Sequence, residues 1–170
     1  DLKASHFVAS LIRRSFPNSL LVIGGFGPTA SPEFIDMNLF NSYVSGEGEK
    51  AFLDLLADYQ HGSEPKQVYV SPPIEDLDQI HFPARDLFKV KGGRIFSFGQ
   101  EYDQGESTGV ITSRGCPFAC GYCATNEMWK RKVRFRSAQN VLDEVQECVE
   151  DFGIRQFRFQ DDNFTLRMGV

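Results

Sequence analysis

The sequence predicts an α/β protein built on an open, largely parallel sheet. Three observations carry that expectation. Helix-period and strand-type segments alternate through the first sixty residues, the run "LLVI" is of the kind buried on both faces, and the alternation resumes after about residue 108.

Taken in order, "DLKASHFVASLIRRSF" places Phe7, Val8, Leu11, Ile12 and Phe16 in a helical stripe that Pro17 and Asn18 end. Residues 20–23 read as a buried strand running into Gly24 and Gly25. "SPEFIDMNLF" predicts a short helix and "SYVSG" a strand. "GEKAFLDLLADYQ" predicts a helix with Phe52, Leu53, Leu55, Leu56 and Tyr59 turned inward. From His61 to about Ser107, Pro65, Pro72, Pro73 and Pro83 break the pattern, and "KGGRIFSFG" suggests a two-stranded excursion around Gly92 and Gly93. "GVITS" then reads as a strand, followed by a cysteine-bearing loop. A helix capped by Ser137 and stopped by Gly153 comes next, and "RQFRFQD" is a further strand. In that last strand, period-two alternation sets Phe157 and Phe159 on one side and Arg158 and Gln160 on the other. The expected organisation is a first domain over 1–60, an interdomain connection with a short hairpin over 61–107, and a second domain over 108–170.

Composition narrows the function classes. Hydrophobic content of 41% and charged content of 24% describe a globular protein. No apolar run approaches the roughly 20 residues that span a bilayer, and no secretory signal is visible, so a cytoplasmic location is expected. A net charge of -5 argues against a general nucleic-acid binder, despite the local run "KRKVRFR". That run reads as a solvated face, with Arg134 or Arg136 as a candidate to neutralise a carboxylate near the cysteine loop. Three of the four cysteines fall within "SRGCPFACGYC", a density that in a reducing compartment points to metal or redox chemistry.

Cys116, Cys120 and Cys123 have the spacing C-x3-C-x2-C on a loop leaving the carboxyl end of a strand, where parallel α/β folds place their chemistry. Thiolates select zinc or an iron-sulfur cluster. A closed zinc site wants a fourth ligand, and Cys148 reads as a core residue in line with Val141, Val145 and Phe152. His6, His61 and His81 have no ligand-type sequence neighbours and read as surface or packing residues. Three thiolates with an open position describe the loop better.

"CPFACGYC", with an aromatic residue before the third cysteine, resembles the cluster motif of radical S-adenosylmethionine enzymes. The resemblance implies that Cys116, Cys120 and Cys123 hold three irons of a [4Fe-4S] cluster whose fourth iron is chelated by S-adenosylmethionine (SAM). Reductive cleavage of SAM to a 5'-deoxyadenosyl radical would follow. It also implies that the backbone at Tyr122 meets the adenine, and that Gly115 and Gly121 let the loop fold tightly. "FRFQDDNFT" resembles the end of the second barrel strand in the cobalamin-linked branch, where Asp161, Asp162 and Asn163 would meet the methionine ammonium.

"LVIGGFGPTASPEF" and "SYVSGEGEKAF" resemble the last part of a cobalamin-binding domain. Gly24, Gly25, Gly27, Gly46 and Glu47 would then stand at the strand ends where open sheets bind ligands. The implied fold is the C-terminal part of a Rossmann-like cobalamin-binding domain followed by the first strands of a radical SAM (β/α) partial TIM barrel. The early Asp-x-His-x-x-Gly signature is absent, and the chain reads as a fragment lacking early strands of one domain and most of the other. The implied activity is that of a radical SAM enzyme, with cobalamin-dependent methyl transfer as one member chemistry. It would draw on an electron donor such as flavodoxin or ferredoxin and act on a small-molecule or lipid-like substrate. Two other readings of the residues stay open: a zinc-stabilised binding module, and an electron-transfer protein using Cys148 as fourth ligand.

Overall fold

A computed structural model describes residues 1–87 and 107–167. The excursion expected around Gly92 and Gly93 lies outside the described residues. The chain divides into two compact units, Asp1–Ile74 with Phe118–Lys130, and Glu75–Pro117 with Arg131–Val170.

In the first unit, α1 (Leu2–Ser15) begins where the Asp1 carboxylate accepts the Lys3 N–H at 2.9 Å. A parallel three-stranded sheet follows, with β1 (Val22–Ile23), β2 (Ser42–Ser45) and β3 (Val68–Val70) in that spatial order. One apolar cluster joins Ala9 of α1 to Ile23, Ile35 and Phe40. A second joins Val44, Ala51, Leu55 and Tyr69 beneath α3 (Gly48–Gln60). Between β1 and β2 stands α2 (Phe26–Ala30), and the returning segment supplies α4 (Thr125–Trp129). Phe26 and Trp129 meet edge to face at 6.0 Å.

Several expectations are corrected here. The stripe on α1 leaves Phe7, Val8, Leu11 and Phe16 exposed, and the helix meets the core through Leu2 and Ala9 instead. "SPEFIDMNLF" makes only a 3-10 turn at Pro32–Phe34, because the Asp36 carboxylate captures the Asn38 N–H at 3.0 Å in a competing turn. On α3, Leu55 and Leu56 face inward beside Ala51, whereas Phe52, Leu53 and Tyr59 are exposed. Val68–Val70, expected within a connection, pairs with β2, and the Tyr69 hydroxyl reaches Asp58 at 2.8 Å.

In the second unit, β4 (Ser107–Val110) pairs in parallel with β7 (Gln156–Phe159), with α5 (Ala138–Phe152) as the connection. The α5 boundaries follow their sequence signals. The Ser137 hydroxyl accepts the Asn140 N–H at 3.1 Å, and Gly153 adopts φ 68°. "GVITS" does not form one strand. β4 ends at Val110, and β5 (Ser113–Arg114) pairs antiparallel with β6 (Arg134–Phe135). Arg158 lies opposite Gly109, and a Cβ on Gly109 would come within 2.6 Å of the Gln160 carboxamide carbon. Gln160 therefore lies across the bare backbone of β4. Phe159 is half exposed and stacks on Phe164 at 4.7 Å, rather than packing beneath a helix.

Beneath α5, the buried Glu144 carboxylate binds the Arg85 guanidinium at 2.6 Å and is also paired with Arg136. The basic run is therefore not a solvated face throughout: Arg134 is buried, and Arg136 pairs with Glu144 of α5 rather than with a carboxylate beside the cysteines. The same two arginines grip β4 and the residue after it. Arg85 donates to the Thr108 hydroxyl and the Gly109 carbonyl, and Arg136 donates to the Ile111 carbonyl at 2.8 Å.

Candidate metal and cofactor site

The strand ends of the second unit converge on Asp161 and Asp162. Asp161 Oδ1 accepts the Thr112 N–H at 3.1 Å, the Thr112 hydroxyl at 2.8 Å and the Ser113 hydroxyl at 2.6 Å. Its other oxygen, Oδ2, is buried without a hydrogen-bond partner among the described residues. Asp162 Oδ2 accepts the Gly115 N–H at 3.0 Å, and Gly115 has φ +101°, a backbone conformation that suits glycine alone. Asn163 turns inward on its own segment, where its side-chain oxygen accepts the Thr165 hydroxyl at 3.4 Å. Thr112 and Ser113 carried no sequence signal for this role, because hydroxyls at a strand end are common and their partner is 48 or more residues away.

Cys116, half-buried, directly follows Gly115 in the second unit. Cys120 and Cys123 are exposed and belong to the first unit, where the Cys123 N–H closes a turn on the Cys120 carbonyl at 3.1 Å. Tyr122 sits at the tip of that turn, 93% exposed. Gly121 has open space where a side chain would stand, so no close contact there demands glycine. None of the cysteines is disulfide-bonded. Among the described residues no three His, Cys, Asp or Glu side chains stand together as a metal-holding group. The donor set nonetheless suits a soft metal cluster, being three thiols with exposed or partly exposed surface. Cys148 differs in kind. It has no exposed surface, and burial pushes its thiol above the ordinary cysteine range.

The first unit holds a cavity of about 580 Å³ at the carboxyl end of its sheet. Gly24, Gly25 and Gly46 line it together with Phe52, Leu53 and Met128. Gly25 has φ +96° and Gly46 φ +79°, and a Cβ on Gly24 would press on Val44 at 3.3 Å. Gly27 and Glu47 stand elsewhere. Gly27 makes room for Leu2, and the buried Glu47 carboxylate accepts the Ile74 N–H at 2.8 Å. Phe52 and Leu53, expected in the core, form the apolar wall of this cavity instead. Met128 joins them from the segment just after the cysteines, a contact across about a hundred residues that periodicity does not reveal.

Comparisons with known proteins show what the chain is similar to. Residues 110–170 match the model of the Radical SAM superfamily. An uncharacterized methyltransferase of Pyrococcus horikoshii is 30% identical over 181 residues, covering 95% of this chain and 37% of that protein. A cytidylyl-2-hydroxyethylphosphonate methyltransferase of Streptomyces wedmorensis is 40% identical over 95 residues, covering 55% of this chain and 18% of that protein. The chain therefore spans little more than a third, or less, of these relatives' length. Among solved structures, the radical S-adenosylmethionine methyltransferase TsrM of Kitasatospora setae, with cobalamin and a [4Fe-4S] cluster bound, superposes with a TM-score of 0.64. It shares 18% identity, with 97% of this chain and 34% of that chain covered, and this likeness concerns the fold. Among the described residues no helix is long and apolar enough to cross a membrane. By its matched segment and its relatives, the chain belongs to the radical SAM superfamily, and the relatives it matches include methyltransferases.

Proposed function

We propose that this chain is part of a radical SAM methyltransferase in which Cys116, Cys120 and Cys123 hold a [4Fe-4S] cluster. The observation that carries the reading is the three-thiol segment inside the family match, with the fourth cysteine buried apart in α5. When bound, such a cluster supplies the electron for reductive cleavage of SAM. The residues of this chain bind and orient. The loop offers three thiolates and leaves one coordination position to the cosubstrate. Asp161 Oδ2, buried and without a partner among the described residues, is a ready acceptor for the methionine ammonium, since an ion pair there would satisfy an otherwise costly orphan. Asn163 and the backbone at Tyr122 are the adjoining contacts that the family resemblance assigns.

In the first unit, the end of a Rossmann-like cobalamin-binding domain is the finer reading. Its support is the cavity at the sheet's carboxyl edge, where Gly24, Gly25 and Gly46 let backbone approach a nucleotide tail and Phe52, Leu53 and Met128 give apolar contact. A cytoplasmic, reducing setting with a flavodoxin or ferredoxin donor and a small or lipid-like substrate completes the proposal.

Electron paramagnetic resonance on anaerobically reconstituted, reduced protein tests it. A four-iron signal that changes on adding SAM is expected, lost in Cys116→Ala and retained in Cys148→Ala. Stoichiometric zinc without iron would sink the reading in favour of a binding module. A cluster lost in Cys148→Ala would favour an electron carrier.

A further inference from the structure

We infer that Asp162 is a positioning residue for the cysteine loop, holding the Gly115 amide at the end of β7 rather than contacting the cosubstrate. The inference rests on the reading of Cys116 as a cluster ligand.

Four donors from residues 112–115 meet two adjacent carboxylates. Three of them converge on one oxygen of Asp161, and the fourth, the Gly115 N–H, goes to Asp162 Oδ2 at 3.0 Å. The two side chains thereby divide the work. Asp161 keeps a buried oxygen uncommitted, whereas the Asp162 bond falls on the residue immediately before Cys116. Gly115 has no side chain to hold it, and its φ of +101° lies where the chain turns out of β5. A backbone bond to an ionised acceptor is about twice as strong as a neutral one, so it can fix a turn that glycine would otherwise leave loose. The anchoring side is itself fixed. Gln160 donates its backbone N–H to the Val110 carbonyl at 2.9 Å, continuing the β4–β7 pairing up to the acidic pair. Holding Gly115 sets the direction in which Cys116 leaves the strand, and so the place at which its sulfur is presented.

The test compares Asp162→Ala with Asp162→Asn in the full-length protein. Asparagine keeps a carbonyl oxygen for the Gly115 amide and loses the charge; alanine loses both. Hydrogen exchange of the peptide over residues 112–118 is measured without cluster, and the rate of cluster loss to a chelator is measured after reconstitution. Asp162→Ala is expected to speed exchange at Gly115 on the order of tenfold and to release the cluster faster, while Asp162→Asn restores most of both. Unchanged exchange in Asp162→Ala overturns the inference. So does a pair of variants that hold the cluster as the parent does but no longer show a SAM-induced change in its resonance, since that marks direct cosubstrate contact. A parent protein that takes up no cluster defeats the three-thiolate reading instead, and the exchange comparison still decides whether Asp162 holds Gly115.

Discussion

The two units each contain a parallel strand, helix, strand crossover, β2–α3–β3 in one and β4–α5–β7 in the other, and they fill the space under the helix differently. The buried positions of α3 are Ala51 and Leu55, packed on Val44 and Tyr69. The buried positions of α5, again four residues apart, are Glu144 and Cys148, and Glu144 is met by Arg85 and Arg136. Apolar packing is non-directional and fixes a helix over a sheet only by shape. The arginines of the second unit bond to named atoms of β4 and of the residue after it, at Thr108, Gly109 and Ile111, just before the segment that leads to Cys116. Directional bonds therefore accumulate where orientation matters to the proposed chemistry. They bring a liability as well: two cations share one carboxylate, and Arg85 Nη1 is buried with no hydrogen-bond partner among the described residues.

The sharpest way to break this contrast is Glu144→Ala. Leaving buried charges uncompensated costs roughly 3–5 kcal/mol, so the second unit should unfold at much lower denaturant while hydrogen exchange in β1–β3 stays near its parent rate. Leu55→Ala is the counterpart in the first unit, costing roughly 2–5 kcal/mol through lost contacts and a cavity. Its unfolding midpoint should shift without salt dependence, and exchange should rise in β2 and β3 but not in β4 and β7. If either substitution loosened both crossovers equally, the division into two separately stabilised units would be wrong.

Gly46→Ala should have a smaller effect, on the order of 1–2 kcal/mol, because φ +79° is strained for any residue with a Cβ while the space around it is open. A thermal melt with Gly48→Ala as control, at a position whose φ is not left-handed and which is also open, isolates the backbone contribution. The smallest effect belongs to the half-buried Asp58. Lys66 first and the Tyr69 hydroxyl second hold its carboxyl below the usual range. A depressed folded-state pKa contributes stability above the unfolded pKa, and that contribution is lost as pH falls through the folded value. Asp58→Asn should lower the neutral plateau slightly and flatten the acid limb of a stability–pH curve, so that variant and parent converge below about pH 4.

What the sequence disclosed was whatever it encodes locally. The Ser137 cap, the Gly153 stop and the C-x3-C-x2-C spacing each lie within a few residues of the feature they announce, and each was legible. β3 was hidden because three residues between Pro65 and Pro72 offer too short a period, and its strand character depends on pairing with β2. α4 is five residues long and carries no apolar stripe of its own. The Arg85–Glu144 pair spans 59 residues and the Asp162–Gly115 bond 47, distances over which composition says nothing about partnership. The acidic residues after β7 were legible as a polar cluster at a strand end, but the different tasks of Asp161 and Asp162 depend on which oxygen each donor reaches.

The first unit is not one continuous stretch, since it takes up Phe118–Lys130 after the chain has passed into the second. On the ribosome this imposes an order of events. The three strands of its sheet are complete by residue 70, yet the segment bearing Cys120, Cys123, Met128 and Trp129 is translated several seconds later, at roughly 5–20 residues per second. Until then Phe26 lacks its aromatic partner and the cavity lined by Phe52 and Leu53 lacks its Met128 wall. The nascent first unit thus waits with an open apolar face for a helix that arrives together with two of the three thiols.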